Sequence, residues 1–317
     1  EHPPGGTMKF LVTGGAGFIG SHLARELTQL GEVTILDDLS SGGTGRIEDL
    51  LDQRKATLIR GSITHRTLLA DACRGVDCVF HLAAIVSVAR SMEQPMEVHE
   101  VNAGGTLAVL SAARTAGVRK VVFSSSCAVY GDSPVTPKTE GLLPEPLSPY
   151  AASKLAGEYY CEVFRRSLGL PTASLRYFNV YGPGQDPGGE YAAVIPRFAV
   201  NVLRRRPPVI FGDGNQVRDF ISVKDVVRAN ILAMQRDAVG IFNVGTGDGT
   251  SILKLARAIM EIGGLAREPV FEKARPGDIR ESIADISRAR DLMGFRPRVH
   301  LADGLRETLE WFRDHPG

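Results

Sequence analysis

The sequence predicts a doubly wound α/β fold: a parallel sheet with helices on both faces, joined to a smaller C-terminal substrate lobe. Three observations predict it. Short apolar runs alternate with amphipathic stretches through the first half of the chain, and such alternation implies parallel pairing because each crossover must return over a face of the sheet. Runs such as Val121-Val122-Phe123 lack polar alternation, as strands buried on both faces require. A glycine-rich turn joins the first apolar run to the first amphipathic one.

The expected strands are Phe10–Thr13, Val33–Asp37, Thr57–Arg60, Cys78–His81, Lys120–Ser124 and Thr172–Arg176. Helical patterns lie between most of them, as at Ile19–Leu30 and Thr106–Ala116. Past residue 180 the character changes, with turns at Gly182-Pro183-Gly184, Arg206-Pro207-Pro208 and Phe211-Gly212-Asp213-Gly214. The expected division is a leader at 1–7 ahead of a natural start at Met8, a cofactor domain at 8–180, and a substrate lobe at 181–317. Gly240–Asn243 reads as a further strand, so a return to the first sheet is expected near 220–245.

The net charge is +1 with 43% hydrophobic and 23% charged residues, an ordinary globular balance. Nothing global points to nucleic acid or a membrane surface, and Arg204-Arg205-Arg206 reads as a solvated helix end. No apolar stretch approaches the roughly 18–20 residues of a membrane span, and no signal-peptide pattern is present. Cys73, Cys78, Cys127 and Cys161 form no Cys-x-x-Cys pair and have no His cluster beside them. Neither a metal site nor a disulfide framework is expected, and the compartment expected is a reducing one, the cytoplasm.

Gly14, Gly17 and Gly20 recur every third residue in Val12-Thr13-Gly14-Gly15-Ala16-Gly17-Phe18-Ile19-Gly20. A chain turning sharply from strand to helix needs residues without a Cβ. A pyrophosphate can then approach the free N–H groups and positive dipole end of the helix. This is the dinucleotide turn of a Rossmann fold, set at a strand–helix junction. Asp37 ends the second strand; a carboxylate there accepts from the adenosine ribose hydroxyls and repels a 2′-phosphate, which favours NAD over NADP.

Tyr150 and Lys154 are four residues apart and share a face of any helix that carries them. A free tyrosine has a pKa of about 10. A nearby ammonium and the positive charge of oxidised nicotinamide both favour the phenolate, so the pair suits a proton shuttle beside a hydride acceptor.

Together with Thr13–Gly20, the segments His81-Leu82-Ala83-Ala84, Asn102 with Gly105-Thr106, Ser124–Gly131, Ser148-Pro149-Tyr150 and Arg176–Gly182 occur in a fixed order. In these the sequence resembles the extended short-chain dehydrogenases/reductases, and within them the UDP-hexose 4-epimerases, from Met8 to the C-terminus. The resemblance implies Ser126, Tyr150 and Lys154 as the catalytic group. Ser126 orients the sugar hydroxyl, Tyr150 exchanges its proton, and Lys154 holds the nicotinamide ribose and tunes Tyr150. It implies NAD as cofactor, bound by Gly14, Gly17, Phe18, Ile19, Gly20, Asp37, Leu82, Ala83, Ala84, Asn102, Ser124, Tyr150, Lys154 and Tyr177. It implies a UDP-sugar held by Ser87, Ser126, Tyr150, Asn179, Ala193, Val194, Phe211, Arg218, Arg275, Asp278 and Ser282. Residues 191–196 would lie along the uridine, and Arg218 and Arg275 would clamp the diphosphate, a task suited to planar guanidinium forks. The expected activity is C4 epimerisation of UDP-glucose and UDP-galactose, extended to the N-acetyl sugars because Ser282 is small where a bulky Tyr would close the pocket. A homodimer through Val98–Ala116 and Tyr150–Ser167 is also implied.

The departures are informative. Sugar-nucleotide 4,6-dehydratases carry Asp-Glu where this chain has Cys127 and Ala128, so elimination of water is not expected, and Ala128 argues equally against uronate decarboxylases. UDP-uronate 4-epimerases tend to have an Arg where Gly184 stands. An inactive NAD-sensing or nucleic-acid-binding relative would have lost Tyr150 or Lys154, and both are present. Ser62 replaces an Asp that contacts adenine, and Val86 replaces a Lys that contacts the cofactor, which implies looser retention of NAD.

Overall fold

The apolar runs of the first half, and the run at Gly240, become the strands of one seven-stranded sheet in the computed structural model of the chain. The structure describes residues 7–188, 193–236, 238–274 and 279–316. The first half runs β1 (Met8–Thr13), α1 (Phe18–Leu27), β2 (Gly31–Asp37), α2 (Glu48–Asp52), β3 (Ala56–Arg60), α3 (Arg66–Ala72), β4 (Cys78–His81), α4 (Val88–Glu93), α5 (Pro95–His99), a π-turn (Glu100–Gly104), α6 (Gly105–Thr115), β5 (Lys120–Ser126), α7 (Pro149–Ser167) and β6 (Thr172–Tyr177). The rest runs β7 (Asn179–Tyr181), α8 (Val194–Leu203), β8 (Val209–Phe211), β9 (Val217–Arg218), β10 (Phe220–Ser222), α9 (Val223–Gln235), β11 (Gly240–Val244), β12 (Thr250–Ser251), α10 (Ile252–Ile262), β13 (Val270–Glu272), β14 (Glu281–Ser282), α11 (Ser287–Met293) and α12 (Leu301–Asp314).

The large sheet has the order β11-β6-β5-β4-β1-β2-β3. β1 pairs in parallel with both β2 and β4, Phe10 lying opposite Val33 on one side and Cys78 on the other. The chain therefore leaves β1 in one direction and returns beside it to continue in the other. In open parallel sheets that reversal leaves a crevice over the carboxyl ends of the two central strands, where dinucleotides bind. Here those ends are the glycine turn after β1 and the Leu82–Ala84 loop after β4.

The described residues fall into two compact units. The first comprises residues up to Val129, Pro146–Arg176 and Val227–Phe242; the second comprises Tyr130–Glu145, Tyr177–Val226 and the chain from Asn243 onward. The segment 130–145, read from sequence with the cofactor domain, belongs to the second unit. The first unit's core gathers Leu11, Leu36, Val79 and Val121 of the sheet with Leu69, Val109, Leu110 and Phe164 of α3, α6 and α7. The second unit's core lies among α8, α10 and α12, with Phe198, Ile259, Leu305 and Leu309 at its centre.

Among the described residues no helix is long and apolar enough to cross a membrane, and no group of three or more His, Cys, Asp or Glu is placed to hold a metal. The four cysteines are free, with Cys127 half-buried and the others buried.

Candidate active site

The glycine turn is built on backbone contacts that exclude side chains. Gly14 has φ +71, and a Cβ there would lie 2.6 Å from the Ala83 nitrogen. At Gly20 a Cβ would lie 2.1 Å from the Gly14 carbonyl oxygen, because α1 packs directly on the turn. Gly17 caps α1 with no side chain to accept from the first-turn N–H groups, which leaves them for an anion at the positive end of the helix. Asp37 accepts from the Ala16 N–H at 2.9 Å and from the Leu39 N–H at 2.8 Å. It thus pins the turn to the end of β2, and a carboxylate retains lone pairs for a ribose. A turn closed to side chains, an uncapped helix start and an acid at the neighbouring strand end together fit a dinucleotide pyrophosphate and ribose.

Below the Leu82–Ala84 loop lies a buried polar chain. The Thr13 hydroxyl is 2.7 Å from His81 Nδ1, and His81 Nε2 is 2.9 Å from the Thr106 hydroxyl. Thr106 donates onward to the Asn102 carbonyl, while the Ala83 N–H donates to Thr13 Oγ1. These bonds assign a neutral imidazole with its proton on Nε2, and burial drives the His81 pKa down to about 3. Asn102 sits in the π-turn; its Oδ1 accepts from Ile85 N–H at 2.8 Å, and its Nδ2 donates to the Ile85 carbonyl and to Ser153 Oγ. Its polar atoms therefore hold the loop. Ser87 likewise has a structural task, capping α4 by accepting from the Arg90 N–H at 3.1 Å. Thr13 and His81 end β1 and β4 and Thr106 lies on α6; each stands in a segment that carries the family resemblance, but their bonding joins residues far apart in sequence.

Tyr150 enters near the start of α7, which Ser148 caps through the Ala151 N–H at 3.1 Å and Pro149 begins. Tyr150 is half-buried, and burial raises the phenol to about 12, the Ser126 hydroxyl acting to lower it. Ser126 ends β5 and also accepts from the Ala128 N–H at 3.1 Å. Lys154, one turn further along α7, is buried; its ammonium donates to the Ser124 carbonyl at 2.8 Å and lies 5.2 Å from the Phe123 ring centroid. Burial lowers Lys154 to about 8, against the pull of Glu158. Tyr150, Ser126, Lys154 and Ser124 are thus brought together. The group acting on the phenol is Ser126, and Lys154 turns toward the strand.

In the second unit a different group gathers around Asp219. Its carbonyl accepts from the Asn179 N–H at 3.0 Å and from Asn179 Nδ2 at 3.1 Å. Its N–H donates to the Ser282 carbonyl at 2.9 Å. Its carboxylate takes Thr246 N–H and Oγ1, Gly247 N–H and Ala284 N–H. Arg218 is half-buried and pairs in register with Ser282 across β9 and β14. Ser282, far from being an exposed loop residue, is 7% exposed on a strand. The Arg197 guanidinium lies 5.5 Å from the Phe211 ring centroid. Ala193 caps α8, and Val194 is its first residue. Tyr177 is buried at the end of β6. Arg275, Asp278 and Tyr191 lie outside the described residues. From sequence Asp219, like Asp225, is only a possible ion-pair partner of Arg218; it lies between β9 and β10.

A family model described as the NAD dependent epimerase/dehydratase family matches residues 10–245. The chain is 42% identical to the UDP-glucose 4-epimerase of Mycolicibacterium smegmatis, over 97% of this chain and 99% of that one. It is 37% identical to the UDP-N-acetyl-alpha-D-glucosaminuronate decarboxylase of Bacillus cytotoxicus, over 96% and 97% of the two chains. Among solved structures, it matches UDP-N-acetylglucosamine 4-epimerase from Methanobrevibacter ruminantium M1 in complex with UDP-N-acetylmuramic acid. That match has a TM-score of 0.94 at 40% identity and covers 98% of this chain and 99% of that one. With the glycine turn, the Asp37 strand end and the Ser126–Tyr150–Lys154 group in one compact unit, the chain belongs to the NAD dependent epimerase/dehydratase family, the extended short-chain dehydrogenases/reductases.

Proposed function

We propose that the protein epimerises UDP-hexoses at C4, interconverting UDP-glucose with UDP-galactose and UDP-N-acetylglucosamine with UDP-N-acetylgalactosamine. The observation that carries this reading is the surroundings of Tyr150. The Ser126 hydroxyl is the side chain that acts to lower its pKa, and the two residues after Ser126, Cys127 and Ala128, offer no carboxyl for elimination or decarboxylation. A proton shuttle without a second acid supports oxidation and re-reduction at one carbon.

NAD, when bound, supplies a reversible hydride acceptor, so no external reductant is consumed. Tyr150 Oη takes the proton of the sugar 4-hydroxyl and returns it after the flat 4-keto sugar has turned over. Ser126 orients that hydroxyl, and Lys154 presents a positive charge and a donor toward the nicotinamide ribose. Asn179, Arg218 and Ser282 are our candidates for the diphosphate and sugar, with Arg275 and Asp278 by resemblance. A uronate needs a cation for its carboxylate shortly after Tyr181-Gly182-Pro183; Gly184 stands there with φ +79, which favours neutral hexoses.

We read the assembly as a cytoplasmic homodimer. Met96 on α5 and Tyr159 and Val163 on α7 are apolar and exposed, and sedimentation equilibrium tests whether they are covered. The reading of activity is tested by incubation with both hexose pairs and with UDP-glucuronate, products being identified by proton NMR. Both hexose pairs are expected to interconvert while UDP-glucuronate is recovered unchanged. Epimerised or decarboxylated glucuronate with inert hexoses would move the assignment to the uronates.

A further inference from the structure

We propose that Glu158, paired with Arg176, is a positioning residue for the Tyr150–Lys154 group, supplying the buried counter-charge for the Lys154 ammonium and tying β5 to α7. For the use made of Lys154, this inference rests on the function proposed above.

The geometry begins with helix period. Tyr150, Lys154 and Glu158 recur every four residues along α7 and so share one face. Three successive residues of β5 meet them. Ser126 acts on the Tyr150 phenol to lower its pKa, the Ser124 carbonyl accepts from Lys154, and the Ser125 hydroxyl donates to the Glu158 carboxylate. On its other side Glu158 accepts from Arg176 Nε at 2.8 Å and Nη2 at 2.6 Å. The Glu158 side chain has no exposure and that of Arg176 has 2%. A buried ion pair is not in itself an efficient way to stabilise a fold, since desolvation offsets much of the attraction. Its position beside a third buried charge gives it a use.

The ionisable groups facing Lys154 can be named. Tyr150, Glu158 and Cys161 lie on its own helix, His81 comes from β4, and Arg176 on β6 bonds Glu158 directly. β5 contributes the Ser124 carbonyl and the Phe123 ring. Burial pushes Cys161 up to about 12 and His81 down to about 3, so both are neutral at pH 7. The Glu158 carboxylate is the anion of this group. Removing its charge takes away the anion between Lys154 and the Arg176 guanidinium; removing the charge of Arg176 leaves Lys154 facing the Glu158 carboxylate without that guanidinium.

The two partners must therefore shift Lys154 in opposite directions, whereas a purely structural pair would perturb it in the same way from either side. Carbon-13 labelling of lysine Cε allows the Lys154 titration to be followed by NMR in the whole protein, its signal assigned by loss in Lys154→Arg. The wild-type midpoint is expected near 8. Glu158→Gln should lower it by about one pH unit and Arg176→Gln should raise it, the shifts expected when a neighbouring charge is removed. Should either single variant fail to fold, the double variant E158Q/R176Q removes both charges of the pair together; Lys154 then lacks its counter-charge and should still titrate below wild type. An unmoved midpoint, or shifts of the same sign in the two single variants, overturns the proposal. The titration uses neither sugar nor NAD, so its failure is distinct from failure of the protein to epimerise UDP-hexoses.

Discussion

Lys154 donates its ammonium to the main-chain carbonyl of Ser124 at 2.8 Å, and this bond fixes where its charge sits. The lysine is held against the end of β5, while the hydroxyl that engages the Tyr150 phenol is that of Ser126. The phenol and the ammonium thus have separate partners, Ser126 and the Ser124 carbonyl, on the same strand and facing the same helix.

Tyr150→Phe removes the exchanging oxygen and leaves the ring. Turnover of UDP-glucose should fall by about 10²–10⁴-fold, the usual worth of positioned proton transfer. NAD affinity, measured by calorimetry, should stay within experimental error of wild type. Near-normal turnover would remove Tyr150 from its role as base.

Asp37 holds both the Ala16 and Leu39 N–H groups, so its substitution disturbs the turn as well as the proposed ribose contact. Asp37→Ala should weaken NAD binding by about tenfold or more, hydrogen bonds to a charged group being worth about 1.5–3 kcal/mol each. It should also narrow the preference for NAD over NADP in calorimetric titrations of cofactor-free protein. Equal affinity of the wild type for the two cofactors would contradict the assignment of Asp37.

The strands were legible because burial on both faces writes an apolar run into the sequence: Val121-Val122-Phe123 lies at the centre of β5. Gly14, Gly17 and Gly20 and the Tyr150–Lys154 spacing were legible because each is local. The Glu158–Arg176 pair, the Thr13–His81–Thr106 chain and the bonds around Asp219 were not, because each joins residues that only the fold brings together. Ser282 shows the same limit: its burial depends on pairing with Arg218 across β9 and β14. The π-turn at Glu100–Gly104 left no sign, since its residues extend a helical pattern without interrupting it.

His81 gives the fold an acid-sensitive point. Its pKa in the folded protein, about 3, lies below the ordinary imidazole value of about 6.5, so the unfolded chain binds the additional proton between those pH values. Its contribution is complete above pH 6.5 and is lost as the pH falls toward 3, by about 2 kcal/mol at pH 5. Urea unfolding at pH 7.5 and pH 5 should show that loss in the wild type and a smaller one in His81→Gln. Parallel losses in the two proteins would exclude His81 as the source.

Ser282 is 7% exposed in register with Arg218, at what we propose is a wall of the sugar pocket. Ser282→Tyr should suppress epimerisation of UDP-N-acetylglucosamine by at least about tenfold while sparing UDP-glucose, because a close-packed wall yields little to an added acetamido group. Equal slowing of both substrates would mean that Ser282 does not set the choice between them.

The central claim is that one site removes a hydride from C4 and returns it to the same carbon. UDP-glucose carrying deuterium at C4 tests this most directly. The protein should yield UDP-galactose that retains the deuterium at C4, with none released to solvent and no net accumulation of NADH. Loss of the label to water, or conversion only when an external reductant is supplied, would contradict the account.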